Sequence, residues 1–306
     1  MEIFFTDTFL SLNLENVKNQ IADKGYFIIE NAVTPGFLKA IEHDFDTAIG
    51  LNSTSFNPFY TKVQKNQYYA LATSKKYFNY LTHSKIFDIS KICLGETFAL
   101  YNNRYYESYY GATTPWHTDN KDNETATDTL GIVFLMYIVD TFDGETTFVS
   151  GSHKWSDEKY YSDQDIHDSH SEEVIQLKRS AGTLLIYDTR LIHKASLIKA
   201  KDTIRKTIFF RVDAGVGKGQ INIINSAFLK NCDERLRQYL NFGYDPTQTL
   251  PKHTFPLIVQ KKYLKELLSA TSAYLRLRLK KLPSEAIFYV RKQLSPWKKK
   301  MLKLFT

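Results

Sequence analysis

Apolar and polar positions alternate along this chain in two rhythms. From Asn13 to Lys24 the apolar residues recur at helical spacing, with Leu14, Val17 and Ile21 on one face. Tyr26 to Glu30 is a short apolar run that suits a strand. Thr34-Pro35 then predicts a second helix, with Thr as N-cap and Pro in the first helical position, burying Phe37, Ile41 and Phe45. Two more helical stretches follow near Lys75–Leu81 and Lys85–Cys93. After Gly95 the rhythm changes. Phe98–Tyr110 is rich in aromatics, and Leu130–Val139 is almost unbroken in its hydrophobicity. Thr146–Val149, Val174–Leu177, Thr183–Tyr187 and Thr203–Val212 come at short intervals. Asp143-Gly144, Gly151-Ser152 and Ala181-Gly182 punctuate them as turns. Beyond Gly219 the spacing is helical again, over Phe228–Leu240 and on into a basic tail. The fold expected is mainly β with flanking helices: a double-sheet jelly roll, cupin-like, with helices packed on it.

Composition narrows the function classes without naming one. A 306-residue chain with 43% hydrophobic and 14% aromatic residues can bury a large core. Cys93 and Cys232 stand alone, outside any metal-finger or CxxC spacing, which suits a reducing compartment. The N-terminus lacks a basic n-region and no stretch reaches about 18 apolar residues, so the chain reads as cytoplasmic. The net charge of +7 is unevenly spread. From Leu257 onward 13 basic residues face only Glu266 and Glu285, which leaves the preceding body net acidic. The expected organisation is a domain over residues 1–220, with its β core at about 96–213, and a helical, basic C-terminal region over 221–306.

Candidate chemistry begins at Thr114-Pro115-Trp116-His117-Thr118-Asp119. On an extended strand, residues i and i+2 share a face, so His117 and Asp119 can reach one metal ion. Far downstream, His193 follows the strand that ends near Tyr187 and can add a second imidazole. Two histidines and a carboxylate on one face leave open positions on an octahedral iron, the arrangement of non-haem Fe(II) oxygenases. Arg205, at the start of the next strand, offers a guanidinium that can clamp a carboxylate bidentately, as a 2-oxoacid with a second carboxylate requires.

These motifs, in this order, resemble the phytanoyl-CoA dioxygenase-like branch of the Fe(II)/2-oxoglutarate oxygenases, across roughly Lys24 to Asp213. Gly25–Val33 looks like the family's opening strand and Thr34–Phe45 like the helix after it. Pro115-Trp116-His117-Thr118-Asp119 looks like its proximal metal motif, and Gly182–Asp188 through His193 like the distal one. Ser150-Gly151-Ser152-His153-Lys154-Trp155 looks like its Pro-Gly-Ser-His-Lys-Trp loop, with Ser150 in place of Pro. The resemblance implies a double-stranded β-helix, Fe(II) on His117, Asp119 and His193, and 2-oxoglutarate and O2 as cosubstrates. It places Arg205 on the distal carboxylate of 2-oxoglutarate. Arg211 lies on the same strand, but its distance from His193 matches the family less well. Thr114, Ser196, Asn103 and Tyr105 are further candidates to line the cosubstrate pocket, or else ordinary strand and turn residues. Related halogenases lack the carboxylate that Asp119 supplies here, so the resemblance favours hydroxylation with release of succinate and CO2. His153 reads as loop structure, Trp116 and Trp155 as packing, and His167 and His170 as solvated members of an acidic loop, Asp163–Glu173, that could form a lid.

The tail leaves three readings open. It can pack on the β core as a helical flank, lie on the anionic inner face of a membrane, or meet another acidic partner. The expected substrate is a small-molecule, lipid-linked or glycan compound. No nucleic acid is expected, because the body is net acidic. The competing function is a non-catalytic or 2-oxoglutarate-independent metal-binding cupin-like protein acting at a membrane surface.

Overall fold

The computed structural model describes residues 4–53, 63–67, 70–120, 130–155, 161–215, 224, 226–229 and 233–241. The basic segment from Leu257 on, expected to be helical, lies outside the described residues. The described chain opens with α1 (Asp7–Leu10), α2 (Leu14–Lys24), β1 (Tyr26–Ile29), α3 (Pro35–Ser53), β2 (Gln64–Gln67) and α4 (Ala70–Thr73). Then come α5 (Lys75–Leu81), α6 (Ser84–Leu94), β3 (Phe98–Ser108), β4 (Gly131–Tyr137) and β5 (Thr141–Val149). The chain continues through α7 (Asp163–His170), β6 (Val174–Arg179), β7 (Leu184–Asp188), β8 (His193–Ala195), β9 (Arg205–Ala214) and α8 (Glu234–Tyr239). Among the described residues, no helix is long and apolar enough to cross a membrane.

Local chemistry sets the helix ends. The Asn13 side chain accepts from the Asn16 N–H at 3.1 Å and starts α2, satisfying a donor that has no partner inside the helix. Gly25 ends α2 in the left-handed conformation, with φ of 87°. A Cβ there would lie 2.6 Å from His153 Nδ1 and 2.7 Å from Leu191 Cδ1, so the site excludes side chains as well as demanding positive φ. Thr34 Oγ1 accepts from the Phe37 N–H at 3.2 Å, and Pro35 opens α3 as the sequence predicts.

The strands form two antiparallel sheets. The major sheet runs β1-β7-β4-β9-β3-β2 and the minor one β6-β5-β8. Period-2 alternation divides the major sheet into two apolar faces. Phe134, Met136, Ile208, Phe210 and Val212 point outward against the helices, where Phe134 and Phe210 stack at 4.6 Å. Val133, Leu135, Leu185, Tyr187 and Phe209 point inward and meet Phe148 and Leu177 of the minor sheet. Burying one such Phe or Leu side chain contributes roughly 1.5–3 kcal/mol, so both faces specify the strand register. This is the jelly-roll, double-stranded β-helix architecture, with the N-terminal helices on the outer face of the major sheet.

A bulge in β3 decides which residues face inward. The pairing with β9 shifts between Leu100 and Asn102. Leu100 therefore faces the helices, and Asn103 and Tyr105 share its side, while Asn102, Arg104, Tyr106 and Ser108 turn to the interior. Tyr105 stacks on Phe45 of α3 at 3.8 Å, and its hydroxyl donates to Glu107 Oε1 at 3.1 Å. Asn103 and Tyr105, expected to line the pocket, thus belong to the helix-facing side. Two other expectations also change. The acidic stretch after Tyr161 is a helix, α7, with a full capping box between Ser162 and Asp165. Its Ile166 packs with Trp116, Val149 and Ile192 on the outer face of the minor sheet. The helix expected over Phe228–Leu240 divides into a 3-10 turn at Ser226–Leu229 and α8, and Tyr239 and Leu240 enter the helix-side core.

Candidate metal centre

His117 and His193 face each other across an antiparallel bridge. Each backbone N–H donates to the other's carbonyl at 2.9 Å. The side chains follow from that pairing: ring centroids are 4.3 Å apart, and Asp119, two residues on, falls on the same face. His117 Nε2 lies 4.0 Å from Asp119 Oδ1, and His193 Nε2 lies 3.5 Å from Asp119 Oδ2. One donor atom from each of the three residues lies within 4.8 Å of the others, as one ion would need.

The tautomers are fixed by backbone carbonyls, which can only accept. His117 Nδ1 donates to Pro115 O at 2.8 Å and His193 Nδ1 to Leu191 O at 2.9 Å. Both Nε2 lone pairs are thereby turned toward the shared space, as metal ligation demands. Burial lowers the His193 imidazole to about 4, against the opposing pull of Asp119, so it is neutral near pH 7. Burial alone would raise the Asp119 carboxyl; His193, His117 and the Tyr187 hydroxyl outweigh it and hold the group below the usual carboxylate range. His193 is nearly enclosed while the His117 side chain is 38% exposed, so the donor set is open on one side.

Tyr187 is a site residue that the sequence reading took only as strand. It lies on the interior face of β7, and its hydroxyl donates to Asp119 Oδ2 at 2.7 Å. Burial and the neighbouring Asp119 raise this phenol well above its ordinary value, so it stays a donor. Two more contacts fix Asp119: its N–H donates to Thr189 O at 2.7 Å, and Arg211 Nη1 donates to its carbonyl. Arg211 is otherwise engaged by Asp213 through both carboxylate oxygens, at 2.6 and 2.7 Å.

Arg205 is buried on the same interior face as Arg211 but carries no carboxylate partner among the described residues. Its Nη1 donates to Gly144 O and its Nη2 to Ser108 Oγ at 3.2 Å. Its Nε is buried without a hydrogen-bond partner among the described residues, and so is the Oγ1 of Thr207, two residues on. Thr114 ties the two histidine segments together, its hydroxyl accepting from the Ala195 N–H at 2.7 Å. Ser196 bonds Thr147 Oγ1 at 2.8 Å, on the side of the minor sheet where Lys194 meets Asp163 and Trp116. Alternation puts Ala195, not Ser196, on the face of His193, so the expected Ser196 contact to the pocket is not made. His153 packs under Gly25, its Nε2 at 3.1 Å from Ala22 O, as loop structure outside the donor group of His117, Asp119 and His193.

Comparison with solved structures finds the same architecture. The epimerase SnoN from nogalamycin biosynthesis, a non-haem α-ketoglutarate-dependent enzyme, superposes with a TM-score of 0.56 at 17% identity, over 76% of this chain and 93% of that one. HygX from Streptomyces hygroscopicus, with nickel and 2-oxoglutarate bound, gives 0.55 at 13% identity, over 76% and 96%. The carbocyclase SnoK, also from nogalamycin biosynthesis, gives 0.53 at 14%, over 68% and 86%. No curated protein matches the sequence. The family model for phytanoyl-CoA dioxygenase matches residues 21–207, more than half of the 306-residue chain. That span runs from the end of α2 into β9 and takes in every residue of the triad and Arg205. On this match the chain belongs to the phytanoyl-CoA dioxygenase family of iron- and 2-oxoglutarate-dependent oxygenases.

Proposed function

We propose that His117, Asp119 and His193 hold Fe(II), that Arg205 holds the distal carboxylate of 2-oxoglutarate, and that the chain hydroxylates an unactivated C–H of a small-molecule, lipid-linked or glycan substrate. The observation that carries the reading is the pair of carbonyl-fixed imidazoles converging with one carboxylate on an open face. The donor set fits the ion: two neutral nitrogens and one anionic oxygen suit iron(II) and leave positions for a chelating cosubstrate. The orphaned Arg205 Nε and Thr207 Oγ1 are buried donors that a carboxylate would satisfy.

Bound iron(II), with 2-oxoglutarate and O2, supplies the oxidation: the C–H becomes C–OH while 2-oxoglutarate leaves as succinate and CO2. The protein's own part is positional. Tyr187 and the Arg211–Asp213 pair hold Asp119 from two sides. The bridge between His117 and His193 fixes the spacing of the imidazoles, and the apolar interior around Leu135, Leu185 and Phe209 keeps water from the cosubstrate side. With Asp119 as a ligand, the ion would offer no place there for a halide, which supports hydroxylation over halogenation. A small-molecule substrate is supported by HygX, which has been crystallised with hygromycin B, and by SnoN, crystallised with nogalamycin RO.

The test is anaerobic titration of apo-protein with Fe(II) and 2-oxoglutarate, watching for the weak visible charge-transfer band. The band should require both, vanish in His117→Ala, and need more cosubstrate in Arg205→Ala. Metal binding without a band would favour a metal-binding cupin-like protein that does not use 2-oxoglutarate.

A further inference from the structure

The interior face of β3 carries a second guanidinium that this function leaves unused. Arg104 stands opposite Phe209 in the β3–β9 register, and its side chain crosses onto β9, with Cζ 4.0 Å from the centre of the Phe209 ring. It is also 5.7 Å from the Tyr106 ring, and Arg205 is 5.7 Å from that same ring. Arg104 is half-buried and, among the described residues, has neither a carboxylate partner nor a hydrogen bond. Alternation after the bulge sets it on the interior face with Tyr106, and the Phe209 ring beneath it belongs to the same apolar cluster as Tyr187, whose hydroxyl bonds Asp119, so it looks onto the same chamber as the triad. Beside it on the strand, Asn102 has a buried amide oxygen with no hydrogen-bond partner among the described residues.

A guanidinium over an aromatic ring keeps one face stacked and its N–H edge free. Among the described residues, three arginines face this interior (Arg104, Arg205 and Arg211), against two carboxylates, Asp119 and Asp213. Arg211 is matched by Asp213. Iron(II) and the 2-oxoglutarate dianion would cancel each other, with Arg205 balancing Asp119. One positive charge, on Arg104, is left over in a partly desolvated chamber, where an unpaired charge is costly and an anion is correspondingly favoured. We propose that Arg104 is the anchor for an anionic group, a carboxylate or a phosphate ester, on the substrate to be oxidised. This rests on the iron and 2-oxoglutarate reading above and narrows its substrate class.

The probes are benzoate, phenyl phosphate and the neutral benzyl alcohol. Each would be titrated calorimetrically, without oxygen, into protein saturated with Fe(II) and 2-oxoglutarate. At least one anion should bind about tenfold or more tightly than benzyl alcohol, the smallest preference a charge-assisted hydrogen bond would give. Whichever of benzoate and phenyl phosphate shows the preference tells a carboxylate group from a phosphate. Arg104→Met, which keeps the length and apolar stem of the side chain, should abolish the preference, and Arg104→Lys should keep part of it. The affinity for 2-oxoglutarate should stay within twofold of the parent in both variants. No anion preference in the parent, or one that survives in Arg104→Met, overturns the proposal. So does a loss of 2-oxoglutarate affinity in Arg104→Met as large as in Arg205→Ala, which would make Arg104 part of the cosubstrate clamp. Failure of the underlying reading looks different, because the parent would then bind no 2-oxoglutarate with Fe(II).

Discussion

Replacing Tyr187 by Phe removes a single oxygen atom from the interior beside the candidate metal centre, and the structure sets the size of the effect. The hydroxyl is 2.7 Å from Asp119 Oδ2, and the residue is 2% exposed, so water cannot replace the lost donor. A hydrogen bond to an ionised group is worth about 1.5–3 kcal/mol. If that sum is spent on orienting Asp119 and keeping it ionised, metal affinity should fall by roughly 10- to 100-fold at about 1.4 kcal/mol per decade, in line with other residues that support metal ligands from behind. The Phe ring fills nearly the same space, so the melting temperature of the apo-protein should move little. The assay is Fe(II) competition against a chromophoric chelator under anaerobic conditions, run beside His193→Ala. A dissociation constant within twofold of the parent, while His193→Ala abolishes binding, would refute the reasoning, because Asp119 would then be held well enough by its backbone contacts alone.

Arg205→Met should weaken 2-oxoglutarate binding by roughly 30-fold or more and leave the Fe(II) dissociation constant unchanged, as separate metal and cosubstrate titrations would show. Ser196→Ala should change neither, since its hydroxyl bonds Thr147 on the far side of the minor sheet; a loss of cosubstrate affinity would contradict that placement. Gly25→Ala should lower stability by about 2–4 kcal/mol, read from urea midpoints, because it adds strain at positive φ to an overlap with His153 and Leu191. Burial holds the His153 imidazole below its ordinary 6.5, and protonation would put a charge beside a buried Nδ1 that has no acceptor among the described residues. Its folded pKa is depressed, so this contribution to stability is complete above about pH 6.5 and is lost as the pH falls toward the folded value. His153→Gln should flatten that dependence across about pH 7.5 to 5, and an unchanged slope would assign the acid sensitivity elsewhere.

The meeting of His117 with Asp119 was legible because its signal is local. His117 and Asp119 are two apart on an extended segment, and alternation alone puts them together. The helices α2 and α3 were legible from their caps, Asn13 and Thr34-Pro35. The β3 face was not. Its run from Phe98 to Tyr110 is aromatic on both sides, so no hydrophobic alternation marks the bulge after Leu100, and Asn103 and Tyr105 were placed a half-period wrong. The same loss of phase hid Arg104. Ser196 was misplaced for a different reason: β8 is three residues long, too short to show a period, and is held by its pairing with β5. β2, with its sequence Gln-Lys-Asn-Gln, has no apolar signal and exists through its ladder to β3. Tyr187 was visible as a strand residue, but its role depends on Asp119, which is distant in sequence, and no local pattern carries that.

The contacts of Asp163 have an optical consequence. Its carboxylate accepts from the Trp116 indole at 2.8 Å and also bonds Lys194, so one acid on α7 holds the residue just before His117 and the residue just after His193. Trp116 is buried one residue from a candidate metal ligand, while the only other tryptophans are Trp155 and Trp297. The chain therefore carries its own fluorophore on the rear of the segments that hold His117 and His193. A paramagnetic ion seated between the imidazoles would quench the emission of Trp116, and steady-state fluorescence could follow the filling of the centre without a label.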